Sequence, residues 1–500
     1  MNTAQYLLNY GSKQQIALIT DREQISYDVL QGRVATIAVE LQRLGVKPGD
    51  KVAILGANSV FWVACYIAVF HIGAIAVPLP TTIQPEEYES VKQFSEFRVI
   101  CLTKLSARRL PGVVFDEQFC IYENDLESLP AASLTDIPEF PVEDMETEAA
   151  YMLTSGTTSK PKLVRVSHGN IIANSDSIVE YLKLDSDDRM MVAMPFYYCF
   201  GLSLLHTHLH VGGSLVLNNR FAYPESILDQ MEETECTGFA GVPSMYHTLL
   251  RKSTFPKRPL RHLRKVQQAG GHLPPVLVQE LRQQLPQAQV FVMYGQTEAT
   301  ARLSYLPPEL LDSKLGSIGQ AIPGVSLRVV DGNGNDVPLG EVGEIMAWGD
   351  NITLGYLNNP EATAKKYVNG GLKTGDLAVK DEDDFIFIVD RESDILKPNG
   401  MRVSSKKIES CIMEMPQLVN AAAVGVPNLE TGEAIYVYAV LAPNSHVDEA
   451  DVLQHCRQRL PLAVVPSKVE FIDGLPLNSN GKVVLSVLRE RARESVGVLV

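Results

Sequence analysis

Apolar positions in ISYDVLQGRVATIAVELQRLG, residues 25–45, recur at helical spacing and stop at Gly45, which predicts an amphipathic helix closed by a glycine. Shortly after it the pattern changes. KVAILG, residues 51–56, is a continuous apolar run of the kind a short buried strand makes. Helix followed by strand recurs as far as Val216, and that alternation predicts α/β layers around a largely parallel sheet. The stretch FWVACYIAVFHIGAIAVPLP, residues 61–80, has nearly the length of a membrane span. It is read instead as a buried helix from near Asn58 to Gly73, then a buried strand over Ala74–Val77. Pro78 and Pro80 forbid the helix from continuing, and His71 interrupts the apolar run.

From about residue 325 the texture is different. SLRVVDGNGNDVPLGEVGEIMAWG holds two strand runs split by DGNGN, a hairpin signal, and FIFIVDR at 385–391 is a further strand. The polar, breaker-rich ESDILKPNGMRV follows, and it places a domain boundary near Arg391–Asp394, giving domains of 1–391 and 392–500. In the second, KKIESCIMEM, NAAAVGV and AIYVYAVLA alternate helix and strand patterns. Residues 125–149, rich in Pro, Asp and Glu, read as a surface connection.

The length of 500 residues accommodates two to four domains or subdomains. A formal charge of −15 argues against binding of nucleic acid or of an anionic membrane surface, since both need a basic face. The seven cysteines are odd in number and form no CxxC pair, which fits free thiols in a reducing cytoplasm. The start, MNTAQYLLNYGSKQQ, shows no basic region followed by an apolar run, so no signal peptide and no integral membrane segment are expected.

The densest chemistry is TSGTTSKPK at 154–162. Thr154, Ser155, Thr157, Thr158 and Ser159 carry hydroxyl donors, Gly156 lets backbone approach a ligand, and Lys160 and Lys162 supply charge on either side of Pro161. Such a loop can wrap phosphate oxygens through hydroxyls and backbone N–H groups. It is not the GxxxxGK[ST] loop, because Pro161 occupies the second glycine position. A solvated polar turn would use the same residues.

Taken with its flanks, YMLTSGTTSKPKLVRVSHGN (151–170) resembles the phosphate-binding motif of the adenylate-forming superfamily, which includes acyl-CoA synthetases, luciferases and adenylation domains of nonribosomal peptide synthetases. Four further segments resemble that family's signatures in its order: YGQTEAT (294–300), KTGDLA (373–378), DRESDILKPNGMRVSSKKIE (390–409) and LPLNSNGKV (475–483). The resemblance implies a large N-terminal domain of layered α/β sheets with a small β-barrel, followed by a small, mobile α+β C-terminal domain. It implies ATP and Mg²⁺ as cofactors, with Thr154, Ser155, Gly156, Thr157, Thr158 and Lys160 on the phosphates. Tyr294 and Gly295 would lie near the adenine, Thr297 and Glu298 would face the phosphates, and Glu298 would hold the metal. Asp376 would bind the ribose hydroxyls and Arg391 would reach the sugar. Lys482 would be the catalytic lysine of adenylation, and Lys397 with Gly400 would serve the thiol step after the C-terminal domain swings. The chain departs from the family at Ser159 and Leu163, where glycine is usual, at Leu372, where tryptophan often stands, and at Ser393, where Asp or Lys is usual.

The chemistry demands such a set. A carboxylate must attack the α-phosphate of ATP, so cations must offset the charge that grows in the transition state. The acyl adenylate then gives its acyl group to a thiol, either that of coenzyme A or the phosphopantetheine of an acyl carrier protein. MPFYYCFGLSLLHTHLHVGG (194–213) is similar to the family's acyl-pocket segment, which makes Tyr197, Tyr198 and Phe200 its aromatic lining, while GVPSMYH (241–247) and Gly270 and Gly271 of QAGGHLPP complete the site. Met190 to Pro224 contains no Asp or Glu, so no carboxylate is at hand for the ammonium of an amino acid, and a fatty or aryl acid is expected. His206, His208 and His210 spread around a helix rather than converging on a metal. The expected partners are a small carboxylic acid, an acyl carrier protein as the alternative acceptor, and a second copy of the chain in a homodimer. The rival readings are an amino-acid adenylating enzyme and a non-catalytic nucleotide- or acyl-binding protein on the same scaffold.

Overall fold

The helix Tyr27–Arg43 starts where the Ser26 side chain accepts from the Val29 N–H and ends before Gly45, whose φ of 80° suits a residue without Cβ. The computed structural model describes residues 1–9, 11–154, 161–428 and 431–495. The apolar stretch forms the helix Val60–His71, capped by Ser59 and buried at every position, as an all-round hydrophobic helix in a core should be. Among the described residues no helix is long and apolar enough to cross a membrane. The strand after it runs over Ile75–Leu79, further than the prolines predict, because Pro78 is accommodated in parallel register with Ile54.

Two parallel-rich sheets and the helices between them build the N-terminal part. One has six strands in the order 120–122, 99–102, 51–55, 75–79, 148–154, 162–167, parallel except for the last. The other has nine strands and is parallel through its middle, in the order Gln289–Tyr294, Lys265–Gln268, Gly238–Gly241, Arg189–Val192, Ser214–Leu217 and Ile16–Ile19. Antiparallel strands close both of its ends.

The DGNGN hairpin joins Val325–Val330 to Gly343–Gly349, and with Gly371–Lys380, Tyr367–Val368 and Ile386–Arg391 it makes a five-stranded antiparallel sheet, the segment expected as a small barrel. The C-terminal part is a three-stranded sheet of Leu418–Asn428, Gly432–Leu441 and Lys468–Phe471, with helices Ser405–Met413, Glu449–Arg459 and Leu485–Ser495. Buried Asp390 ties the two parts together, accepting from the Ser405 N–H at 2.7 Å and its hydroxyl at 2.8 Å. All seven cysteines are free.

Candidate active site

Parallel strands present their carboxyl ends along one edge of the nine-stranded sheet, and loops leaving those ends make the crevice where α/β proteins bind ligands. Tyr294 ends one strand and Gly295 follows it, Gly270 and Gly271 follow the next, Pro243 and Ser244 the third, and Tyr197 and Tyr198 the fourth. The first three pairs line a cavity of about 280 Å³ that also takes in Asp376, Arg391 and Lys482. Gly270 is required as glycine: its φ is 85°, and a Cβ would stand 2.9 Å from Val242 Cγ1 and 3.1 Å from the Tyr198 hydroxyl.

Asp376 is 5% exposed and serves two partners at once. Its Oδ2 accepts from the Tyr294 hydroxyl at 2.6 Å and its Oδ1 from Arg391 Nε at 3.2 Å. Asp376 and Arg391 are directly opposed on antiparallel strands, so the pairing is built into the register. The Asp376 carboxylate holds the Arg391 guanidinium above its ordinary pKa, and burial together with the same carboxylate pushes the Tyr294 phenol up.

Lys482 comes from the other side. Its loop is held in shape by Asn478, whose Oδ1 accepts from the Lys482 N–H at 3.0 Å and whose N–H donates to the Lys482 carbonyl at 2.8 Å. The loop docks on the N-terminal part through Ser244, which donates to the Gly481 carbonyl at 2.8 Å, and Tyr197, which donates to the Ser479 carbonyl at 3.2 Å. That places Lys482 Nζ over the Tyr198 ring, 5.6 Å from its centre. Phe200, two residues further on, carries a second cation on its face: Arg302, at 4.9 Å.

Glu298 sits in the turn after Gly295. Its Oε1 accepts from the Tyr356 hydroxyl at 2.7 Å, and its carbonyl accepts from the Thr353 N–H at 3.0 Å and hydroxyl at 2.9 Å. Oε2 has no donor among the described residues, and a carboxylate with one oxygen fixed and one free is suited to a hard cation. The Thr297 hydroxyl lies 3.5 Å from Cys199 Sγ, which links this turn to the helix Cys199–His210. Lys366 stands close by, donating to the Thr374 carbonyl at 2.9 Å. Burial lowers its pKa, and Glu298 and Asp376 oppose that shift. Thr154 ends its strand with its hydroxyl 3.3 Å from the Lys162 carbonyl, and Lys162 Nζ lies 5.0 Å from the centre of the Tyr356 ring. Ser155, Gly156, Thr157, Thr158, Ser159 and Lys160 lie outside the described residues.

Two expected residues are elsewhere. Lys397 and Gly400 are exposed and do not line the cavity; the Lys397 N–H donates to Glu433 and Gly400 has open space around its Cα. The three histidines diverge: His206 bonds the Tyr66 hydroxyl, His208 the Leu204 carbonyl and His210 the Tyr6 carbonyl. No cluster of three or more metal-ligating side chains occurs among the described residues. The motifs do not single out Tyr356, Lys366 or Arg302, whereas Ser244 falls within GVPSMYH. Arg302 left a trace as the one charged residue in ARLSYL, the run after YGQTEAT.

Two family descriptions match the chain: AMP-binding enzyme over residues 9–357, and AMP-binding enzyme C-terminal domain over residues 407–482. Feruloyl-CoA synthase of Amycolatopsis sp is 31% identical over 470 residues, 93% of this chain and 94% of that protein. 2-Succinylbenzoate–CoA ligase of Bacillus cytotoxicus is 30% identical over 485 residues, 96% of each chain. The solved structure of o-succinylbenzoate CoA synthetase (MenE) from Bacillus subtilis, in complex with the acyl-adenylate intermediate OSB-AMP, superposes with a TM-score of 0.85 at 27% identity and 98% coverage of both chains.

Proposed function

This chain belongs to the AMP-binding, adenylate-forming enzyme family as an acyl-CoA ligase-like member, and from that premise we propose that it joins a compact or aryl carboxylic acid to coenzyme A. The acid's carboxylate attacks the α-phosphorus of ATP and pyrophosphate leaves. The thiol of coenzyme A then attacks the acyl carbon of the adenylate and AMP leaves. The observation that carries the reading is the convergence of Lys482, Asp376, Arg391 and the two glycines 270 and 271 on one cavity, from segments far apart in sequence.

In this reading Asp376 takes the ribose hydroxyls, with Arg391 and Tyr294 fixing its carboxylate. Lys482 offsets charge at the α-phosphate, where a preoriented cation in a dry site is worth most. Glu298 would hold Mg²⁺ through its free oxygen; the ion, when bound, neutralises phosphate charge. Thr154 to Lys160 would receive the phosphates. Lys397 and Gly400 wait outside the cavity for the thiol step, which requires residues 392–500 to turn as a body about a hinge near Ser393.

An aryl or compact acid is favoured over a long fatty chain by the space behind the aromatic wall. Beyond Cys199 and Ala301 lies a void of about 20 Å³, room for one water and not for an alkyl chain. The similar proteins named above act on feruloyl and succinylbenzoyl groups. The free cysteines suit a cytoplasmic enzyme.

The test is acid-dependent ATP–pyrophosphate exchange without thiol, over a panel of aryl, fatty and amino acids. One class should stand out, and Lys482→Ala should cut its exchange by more than about a hundredfold with an unchanged melting curve. Equal exchange in that variant removes the role given to Lys482. Lys397→Ala should keep the exchange rate and slow thioester formation; an unchanged second step removes the proposed turn of the C-terminal domain.

A further inference from the structure

Tyr356, which bonds Glu298, also lines a groove of about 400 Å³ together with Lys162, Asn359, Glu361, Lys365 and Lys366. No residue is shared between this groove and the 280 Å³ cavity that holds Asp376, Arg391 and Lys482. The one carboxylate in its lining, Glu361, is taken by Lys365 at 2.6 Å. Lys162 and Lys366 form no ion pair among the described residues, and residues 155–160, outside that description, include neither Asp nor Glu. The half-buried Lys366 donates to one acceptor, the Thr374 carbonyl at 2.9 Å, so two of its three N–H donors are unspent among the described residues. Two uncompensated cations on one concave surface, in a chain of net charge −15, gather an anion there.

The neighbours of the groove say which anion. Lys162 Nζ stands 5.0 Å from the centre of the Tyr356 ring, and the hydroxyl of that ring donates to Glu298 Oε1 at 2.7 Å. Glu298 is also near enough to Lys366 to raise its affinity for a proton. Both cations therefore flank a carboxylate whose other oxygen suits Mg²⁺, and the anion that fits between them is one that travels with a metal. We propose that this groove receives the pyrophosphate released on adenylation, with Lys366 and Lys162 as its two cations. This rests on the acid-activating reading of the site. In that step the carboxylate oxygen bonds to the α-phosphorus, the bond from phosphorus to the bridging oxygen breaks, and its electron pair leaves with pyrophosphate. Attacking and leaving oxygens lie roughly in line, so the leaving group departs away from the acid, and a site outside the adenosine cavity can take it. The unspent Lys366 donors then meet its charged terminal oxygens. A lysine, with rotatable donors around a point charge, suits a ligand that arrives and must depart.

ATP–pyrophosphate exchange with the full chain and a responsive acid tests it, with pyrophosphate and ATP titrated separately. Lys366→Met, of similar length and uncharged, should raise the KM for pyrophosphate by about tenfold or more and leave that for ATP within about threefold. Lys366→Arg should recover most of the pyrophosphate affinity. Lys162→Met carries the same expectation and replaces Lys366→Met should that variant fail to fold. An unchanged KM for pyrophosphate overturns the inference. Equal rises for pyrophosphate and ATP also overturn it, since the lysine would then grip the phosphates of ATP or hold Glu298 and Asp376 in place. Where every acid is silent in exchange, the acid-activating reading falls, and pyrophosphate titrated with Mg²⁺ into the full chain by calorimetry decides the groove alone. Binding weakened about tenfold by Lys162→Met upholds it as a diphosphate site; no binding, or binding which that variant leaves unchanged, overturns it.

Discussion

A carboxylate that accepts from a phenol on one side and a guanidinium on the other, as Asp376 does, is fixed before any ligand arrives. In the proposed reading its removal has two effects: the ligand's hydroxyls lose an acceptor, and Tyr294 and Arg391 lose what aims them. Hydrogen bonds to a charged group are worth about 1.5–3 kcal/mol each. Asp376→Ala should raise the KM for ATP by more than about tenfold, measured by titrating ATP in the exchange assay, while the KM for the acid stays close to native. Asp376 and Arg391 were legible in the sequence because they stand in motifs, while their opposition across two strands is a fact of the folded register. Tyr356 was not. It reaches Glu298 across 58 positions of chain, and no spacing in the sequence announces a contact made only by folding. Arg302 was visible as a letter, but its burial with the guanidinium on the Phe200 ring is something only packing reveals.

The helix Cys199–His210 sets the aromatic wall, and its close approach to the preceding turn fixes where that wall stands. A Cβ on Gly201 would lie 2.1 Å from the Pro195 carbonyl oxygen, a backbone atom that cannot step aside alone. Gly201→Ala should cost about 1–3 kcal/mol of stability through overpacking. Because the displaced helix carries Phe200 and Cys199, kcat/KM for the acid should fall further than the ATP KM rises; a thermal melt and the two titrations separate these effects. At this scale the sequence was informative where hydrophobic period and breakers agreed, as for Tyr27–Arg43 and the hairpin around DGNGN. It misjudged the strand containing Pro78, because a proline bars a helix interior but can be carried in a strand. The order of strands within two separate sheets has no local signal at all.

Across the whole molecule, burial keeps several histidines uncharged. His206 is pushed down to about 3, and His208 and His168 to about 4. In the unfolded chain these rings take up protons near their ordinary value of 6.5, whereas the native state resists until about pH 4. Their stabilising effect is complete above pH 6.5 and is lost as pH falls toward 4, at about 1.4 kcal/mol per pH unit for each ring. Melting temperatures should be flat from pH 7 to 8 and drop steeply between pH 6 and 4.5, and His206→Gln should flatten part of that slope. The order of motifs along the chain conveyed two-part architecture, but not that the loop bearing Lys482 would be found seated on the larger part.

Two neutral hydrogen bonds, from Ser244 and from Tyr197, help to seat that loop at 2.8 and 3.2 Å. At about 1 kcal/mol each they contribute a factor on the order of tens to the seated arrangement. One of the two hands belongs to the aromatic wall itself, so whatever sits against that wall and the position of the loop weigh on each other equally, by reciprocity. Swapping what lies against Tyr197 resets the odds of the next move. In the proposed two-step cycle, the cargo against Tyr197 would then bias which half of the task comes next.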